Sequence, residues 1–360
     1  MLEPSLPNAP RLIKVAPGRI LKATPVFDTY WRFAAKRQAL FMKRVLGAAL
    51  PWTDDSVLAA HRFTNAYRAA DRVSQYLIRR VVYEGPQTIE EIFFRTLLFK
   101  FFNRIQTWEQ LERQAGLPSW KNYNFERYAR ILDSALARQE SIYSAAYIMP
   151  SPSFGHARKH RNHLPLLEYM MRDSAPRKVA KAKSLREVYG IMRAYPSLGD
   201  LLAFEFTSDV NYSAITDFSE MEFVVAGPGA RDGIRKCFSE TAGLTEAEVI
   251  RVVTEIADDE FSRLGLVFHS LWGRPLQLID CQNLFCEVDK YSRVVHPEFA
   301  GISGRTRIKQ KYFPKTEPLP QFYPPKWQLK IPSDVKNGNV LHAPRNTTQR
   351  SLPLELMPAE

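Results

Sequence analysis

The chain has 360 residues, 45% hydrophobic and 12% aromatic, with 50 Lys and Arg against 38 Asp and Glu, a net charge of +12 and a pI near 9.5. That composition excludes a disordered or fibrous chain and admits one large core or two modest ones. With no apolar run near the ~18 residues that cross a bilayer, it also excludes a transmembrane helix. The positive excess favours a polyanionic partner, although a merely solvated basic surface has the same composition. Cys237, Cys281 and Cys286 form an odd set with no paired framework, which points to a reducing compartment. The first residues lack the uninterrupted apolar centre of a signal peptide, so a cytoplasmic location is expected.

Residues 1–25 are Pro-rich and basic without periodicity, and read as a flexible arm. A first helix is expected from Phe27 to Leu50, with Trp31, Ala35, Phe41 and Val45 inward and Arg32, Lys36, Lys43 and Arg44 outward. Asp54 or Asp55 caps a second, about 56–83, in which Phe63, Ala70 and Leu77 recur a heptad apart. Opposite them Asn65, Arg68, Arg72, Gln75 and Arg79 share a face, with Asp71 beside it. A stripe of Asn, Gln and Arg differs from the Glu and Lys mixture of a solvated face and suits bidentate contacts to phosphate. A decorated surface helix is the alternative. Residues 88–113 read as a helix apolar nearly all round, hence central, in which Lys100 and Asn103 need partners. Either they serve a site, or Lys100 reaches a rim and Asn103 bonds locally.

A further helix is expected over 120–144. Residues 154–183 then hold eight Lys and Arg against two acids, and read as a basic loop-to-helix region near a phosphate backbone. His156, His160 and His163 fall at helical spacing, but their basic neighbours repel a cation and Pro165 truncates the helix, so no metal site is expected. The cysteines lack a fourth ligand and the C-x2-C spacing of a zinc site. Residues 184–213 give an amphipathic helix pair.

In the stretch 215–238, ITDFSEMEFVVAGPGARDGIRKCF, Asp217 caps a helix carrying Phe218, Met221, Val224 and Val225. The chain breaks at Gly227-Pro228-Gly229, and a second helix starts near Ala230 with Ile234, Cys237 and Phe238 inward. Two short helices joined by G-x-G describe a helix-hairpin-helix. Its glycines allow close approach of another backbone, and its second helix offers free N–H groups to a phosphate. Gly227, Gly229, Arg231 and Lys236 are then the DNA contacts; an ordinary αα-corner is the competing reading. Thr245 caps an acidic helix to Gly265, with Glu246 and Glu248 in its first turn. Leu278 to Arg293 forms another helix, opened by Asp280 and closed by Lys290 and Arg293. Residues 301–330 carry seven Lys and Arg against one acid, interleaved with Tyr312, Phe313, Phe322, Tyr323 and Trp327. That mixture suits single-stranded or distorted DNA, or else a proline-rich strap packed on the domain. Residues 331–360 are expected to be disordered. Without a repeat or a strand-rich block, the fold class is all-α.

The stretches FTNAYRAADRVSQYLIR, FRTLLFKFFNRIQTWEQL, IYSAAYIMP, ITDFSEMEFVVAGPGARDGIRKCF and DCQNLFCEVDKYSR, between Arg62 and Arg293, carry a resemblance. They resemble the α-glutamyl/putrescinyl thymine pyrophosphorylases, helical proteins of DNA base hypermodification that are also found fused to 5-hydroxymethyluracil DNA kinases. More distantly, the hairpin followed by Leu278-Ile279-Asp280 and Arg293 resembles helix-hairpin-helix DNA glycosylases, whose aspartate works on a flipped nucleotide. The segment 239–277 is longer than in that pattern.

The resemblance implies a glycosylase-like helical domain over 26–300, with the hairpin at 215–238, a flexible arm at 1–25, a basic extension at 301–330 and a tail at 331–360. It implies a transferase that places an amine on a phosphorylated or pyrophosphorylated 5-hydroxymethyluracil in DNA. Asp280 would deprotonate the amine or steady charge on the 5-methylene carbon, with Glu287, on the same helix face, as runner-up. Arg68, Arg72, Lys290 and Arg293 would neutralise the departing phosphate, and Asn65, Asp71, Gln75, Lys100, Gln282 and Asn283 would complete the pocket. The implied partners are DNA, an amino acid or polyamine co-substrate and a 5-hydroxymethyluracil DNA kinase, with no cofactor and no membrane. A true glycosylase using Asp280, and a DNA-binding adaptor without catalysis, are the alternatives.

Overall fold

Two antiparallel strands, β1 (Leu12–Ala16) and β2 (Arg19–Ala23), open the computed structural model, which describes residues 11–146, 148–317 and 319–338. A third strand, β3 (Phe238–Glu240), pairs antiparallel with β2, giving the order β1-β2-β3. The expected flexible arm is therefore corrected over 12–23, where Ile13, Leu21 and Ala23 are buried in the core. Alternate burial along a strand supplies what the arm's irregular hydropathy hid. Residues 1–10 of that arm, and 339–360 of the expected disordered tail, lie outside the described residues.

The helices begin with α1 (Pro25–Val45), close to expectation. Thr24 caps it by accepting from the Val26 N–H, Pro25 sits where no helical N–H is needed, and Lys43 and Arg44 end it. The single helix expected over 56–83 is absent. It is divided into α2 (Ser56–Ala60), an extended crossing, a 3-10 turn at Arg68–Ala70, α3 (Arg72–Tyr76) and a π turn at Leu77–Val82. The Asn65 N–H bonds the Asp71 carboxylate and its side-chain amide bonds the Ala70 carbonyl, so the backbone is held by side chains in place of a helical ladder.

The expected helix at 88–113 is likewise two, α4 (Ile89–Phe102) and α5 (Ile105–Ala115), parted by Asn103 in the left-handed region (φ 47°). Beyond α6 (Phe125–Ala137), α7 (Lys159–Arg172) runs through Pro165, correcting the expectation that this proline truncates it. His160 bonds Asp133 there, and His163 bonds Tyr143 and the Pro150 carbonyl. Next come α8 (Ala175–Lys181), α9 (Leu185–Arg193), α10 (Asp200–Asn211) and α11 (Pro228–Cys237). Thr245 caps α12 (Glu246–Glu255) as expected, with Glu248 completing a capping box, but the single helix expected to reach Gly265 breaks at Ile256 and α13 (Ala257–Arg263) follows. The set ends with α14 (Leu278–Val295) and α15 (Ser333–Asn337), the latter inside the tail expected to be disordered, its Val335 buried. The molecule is mostly helical with one small sheet, rather than all-α.

The first helix of the expected hairpin does not form either. Residues 217–226 are loop and turn, and only α11 follows the Gly-Pro-Gly break. The Asn211 side chain takes the Phe218 N–H and carbonyl, and the Glu222 carboxylate caps α9 through the Leu185 and Arg186 N–H groups. α11 packs on α14 at backbone contact. A Cβ at Gly229 would stand 2.3 Å from Cys286 Sγ, and one at Gly233 would stand 2.0 Å from the Phe285 carbonyl oxygen. These glycines serve a helix–helix seam, and α14 is thereby buried almost all round.

Candidate functional site

α14 carries Asp280 and Glu287 a heptad apart, and both face the crossing segment 63–71. Asp280 Oδ1 accepts the Arg68 N–H at 2.8 Å and Oδ2 accepts the Gln277 N–H at 3.0 Å. Glu287 accepts the Thr64 N–H at 3.1 Å and pairs with Lys290 at 2.6 Å, whose ammonium also lies over the Phe63 ring. Asp71 accepts the Asn65 N–H at 2.8 Å, and Arg37 bonds the Asn65 side chain. Two carboxylates of α14 thus stitch an irregular segment onto the helix by its backbone N–H groups, and Asp71 closes the segment on itself.

Beneath that segment lies a buried ionic cluster. The Arg68 guanidinium reaches Asp209 at 2.6 Å, Glu205 at 2.7 Å and the Tyr212 hydroxyl at 3.0 Å. Lys100 stands 2.9 Å from Asp209 and 3.3 Å from Glu205. Among the described residues two cations face two acids here, so their charges balance, as burial demands. Lys100 therefore does not snorkel to a rim. Glu205 and Asp209 went unread in the sequence, yet acids four apart among Phe204, Phe206 and Val210 signal a buried cationic partner.

Next to Asp280 is a second acid, Glu220, one oxygen of which takes Arg274 at 2.5 Å while the other, Oε1, is buried without a hydrogen-bond partner among the described residues. Burial, and then the Glu220 charge, push the Asp280 carboxyl up to about 7 against the pull of the Arg68 and Gln277 N–H donors. Burial likewise lifts Asp71 to about 7 against its bond from Asn65 and the charge of Arg37. Arg274 lies 3.8 Å over the Trp327 ring, which stacks on Tyr323. The strap anticipated in 301–330 is thus realised over 319–331. It is fixed by the Phe322 N–H on Gln75 and by Lys326 on the carbonyls of Asn211, Ser213 and Thr216.

The expected face at 65–79 does not exist as a face: Asn65, Arg68 and Gln75 are buried, whereas Arg72 and Arg79 are exposed. Arg62 and Arg104 stand near Arg72 with like charge, and Glu109 is the acid among them. Lys236, expected on DNA, is buried and held 2.9 Å from Asp289, which also takes Arg293. Gly227 and Gly229 face Leu201, Gln282 and Cys286, so neither is open to a phosphate strand; Arg231 is exposed. Gln282 is buried with Oε1 unpartnered, and Asn283 is half-buried.

The two basic regions differ. Arg158 and Arg161 bind Asp133, Arg172 binds Glu168, Arg177 binds Glu90 and Lys178 binds Asp173, which neutralises much of 154–183. Arg305, Arg307, Lys309, Lys311 and Lys315 are exposed, and no described carboxylate pairs with them. They run beside Arg62, whose N–H bonds the Gln310 carbonyl.

The family described as "5-hmdU DNA kinase, helical domain" matches residues 24–301. A protein named 5-hmdU DNA kinase from Bacillus phage SP10 is 23% identical over 286 residues, covering 74% of this chain and 45% of that protein. The chain therefore spans less than half the length of this relative. No solved structure matches it. No described helix is long and apolar enough to cross a membrane.

Proposed function

We propose, from the premise that this chain belongs to the 5-hmdU DNA kinase helical-domain family, that it acts in thymine hypermodification of DNA. In this reading it transfers the amine of an amino acid or polyamine onto a phosphorylated or pyrophosphorylated 5-hydroxymethyluracil. The amine nitrogen forms a bond to the 5-methylene carbon, the carbon–oxygen bond breaks, and its electron pair leaves with the phosphate or pyrophosphate. A carboxylate first takes one proton from the ammonium, which frees the nitrogen lone pair for attack, and the product leaves as a secondary ammonium. The observation that carries the reading is Asp280, a buried carboxylate titrating near neutrality at about 7. Such a group exchanges a proton with an amine at physiological pH, where an ordinary aspartate does not.

The cationic surroundings support the same reading. Arg72 with its neighbours Arg62 and Arg104, and the exposed run 305–315, offer a path for phosphate. Arg68, Lys100, Lys290 and Arg293 are satisfied by acids of the chain itself, so they steady the segment rather than await a ligand. A 5-hydroxymethyluracil DNA kinase would supply the phosphorylated base.

The test is to incubate the protein with DNA containing 5-phosphomethyluracil and a set of amines, then weigh the released nucleosides. Transfer produces a heavier nucleoside, a glycosylase leaves an abasic site, and an adaptor changes nothing; the last two outcomes each overturn the reading. Asp280→Asn should bind DNA normally and transfer about 10²–10⁴-fold more slowly. Near-normal transfer by that variant would remove Asp280 from the chemistry and direct the role to Glu287.

A further inference from the structure

The end of α10 and the loop after it turn three backbone carbonyls toward one point. The ammonium of Lys326 sits there, 2.6 Å from the Asn211 oxygen, 3.0 Å from Ser213 and 2.5 Å from Thr216. An alkylammonium has three N–H donors, so this tripod satisfies it completely. A guanidinium is flat and a quaternary ammonium has no donor, so neither fits the tripod. The site is also more negative than one occupant requires. The carbonyls of Asn211 and Ser213 lie at the negative end of the α10 dipole, and Asp217 stands 3.7 Å from the ammonium. Glu220, only 7% exposed, is a further acid close by, and its Oε1 has no hydrogen-bond partner among the described residues. Arg274 is an opposing cation, held on the other Glu220 oxygen.

The two sides of this contact come from different parts of the chain. The carbonyls and Glu220 fall within the residues the family matches, 24–301, whereas Lys326 lies beyond them on the strap. On the same strap Trp327 stacks under Arg274, and Tyr323 fills the space between Trp327 and Trp272. An ammonium and a flat ring are thus delivered side by side near Glu220 and its partner Arg274.

We propose that the carbonyl tripod of Asn211, Ser213 and Thr216, with Glu220, is a binding site for a primary amine, and that Lys326 occupies it as an internal stand-in for a free one. The strap then competes with the co-substrate, and a primary amine displaces Lys326 on entering. The meaning of the site rests on the amine-transfer reading above, but its detection does not, since binding is measured without DNA.

The experiment uses the full chain carrying Lys326→Ala, melted with and without n-butylammonium chloride, with tetramethylammonium chloride at equal ionic strength as control. Butylammonium should raise the melting temperature saturably, by on the order of a few degrees, and tetramethylammonium should not. The wild type, whose tripod is filled, should show no such rise, but butylammonium should hasten deuterium uptake over residues 319–331. Glu220→Gln added to Lys326→Ala should weaken the response. Equal effects of the two salts on Lys326→Ala, or unchanged exchange in the wild-type strap, would overturn the proposal. If Lys326→Ala does not fold, the wild-type exchange measurement decides alone. Amine-specific stabilisation without any transfer to DNA would keep the site and sink the transferase reading; transfer without it would do the reverse.

Discussion

Asp280 binds two backbone N–H groups and is still only about half ionised near pH 7, because burial and Glu220 outweigh those donors. A carboxyl at about 7 in the folded chain and about 3.9 in the unfolded one favours folding while protonated. Its contribution is complete below about pH 4 and is lost as the pH climbs through about 7. Asp280→Asn cannot ionise and should escape that loss. Urea denaturation at pH 4.5 and 7.5 should show the stability difference shifting toward the variant by about 1–3 kcal/mol at the higher pH. A pH-independent cost of about 1–3 kcal/mol is expected besides, since an amide NH₂ would face one of the two N–H donors. Parallel pH profiles for variant and wild type would show that Asp280 is an ordinary ionised helix cap.

Between elements, the seam of α11 on α14 reverses the role assigned to the glycines from sequence. Gly229→Val drives its branched side chain into Cys286, whose Cβ is also within 3.3 Å of the new Cβ. The expected cost is about 1–3 kcal/mol of stability, with DNA binding falling only as the fold is lost. Gly233→Ala meets the Phe285 backbone, which cannot rotate away, and should cost at least as much. Gly190, in α9, has open space at its Cβ position, so Gly190→Ala should stabilise by about 0.5–1 kcal/mol. Thermal melts of the three variants check the sign of each. A neutral Gly233→Ala would mean that the helices are farther apart than described.

For the whole molecule, the net charge of +12 is spread unevenly once ion pairs are taken into account. The cations of 154–183 are largely spent on Asp133, Glu168, Glu90 and Asp173, whereas those of 305–315 are exposed beside Arg62. DNA affinity should therefore fall with salt by about 0.9 log units per phosphate contact for each log unit of salt. Replacing Arg305, Arg307, Lys309 and Lys311 with Ala should reduce that slope, while replacing Arg158 and Arg172 should leave it nearly unchanged. Binding isotherms between low and moderate salt measure both. A slope indifferent to the 305–311 changes would move the DNA path elsewhere.

The chain's own pattern determines the helical character, the existence and inward face of α1, the Thr245 cap of α12 and the placing of Asp280 at the start of α14. Each follows from contacts within a few residues, which is the range over which caps and periodicity act. Tertiary structure decided the rest. The segments at 56–83 and 217–226 have helical hydropathy, but side chains from elsewhere claim their backbones: Glu287 and Asp280 for the first, Asn211 and Arg251 for the second. Arg68 and Lys236 look like surface cations until Glu205, Asp209 and Asp289 arrive from other helices and allow their charges to be buried. Local sequence cannot carry that information, because burying a charge depends on a counter-charge far along the chain, 53 residues away for Lys236 with Asp289 and 141 for Arg68 with Asp209.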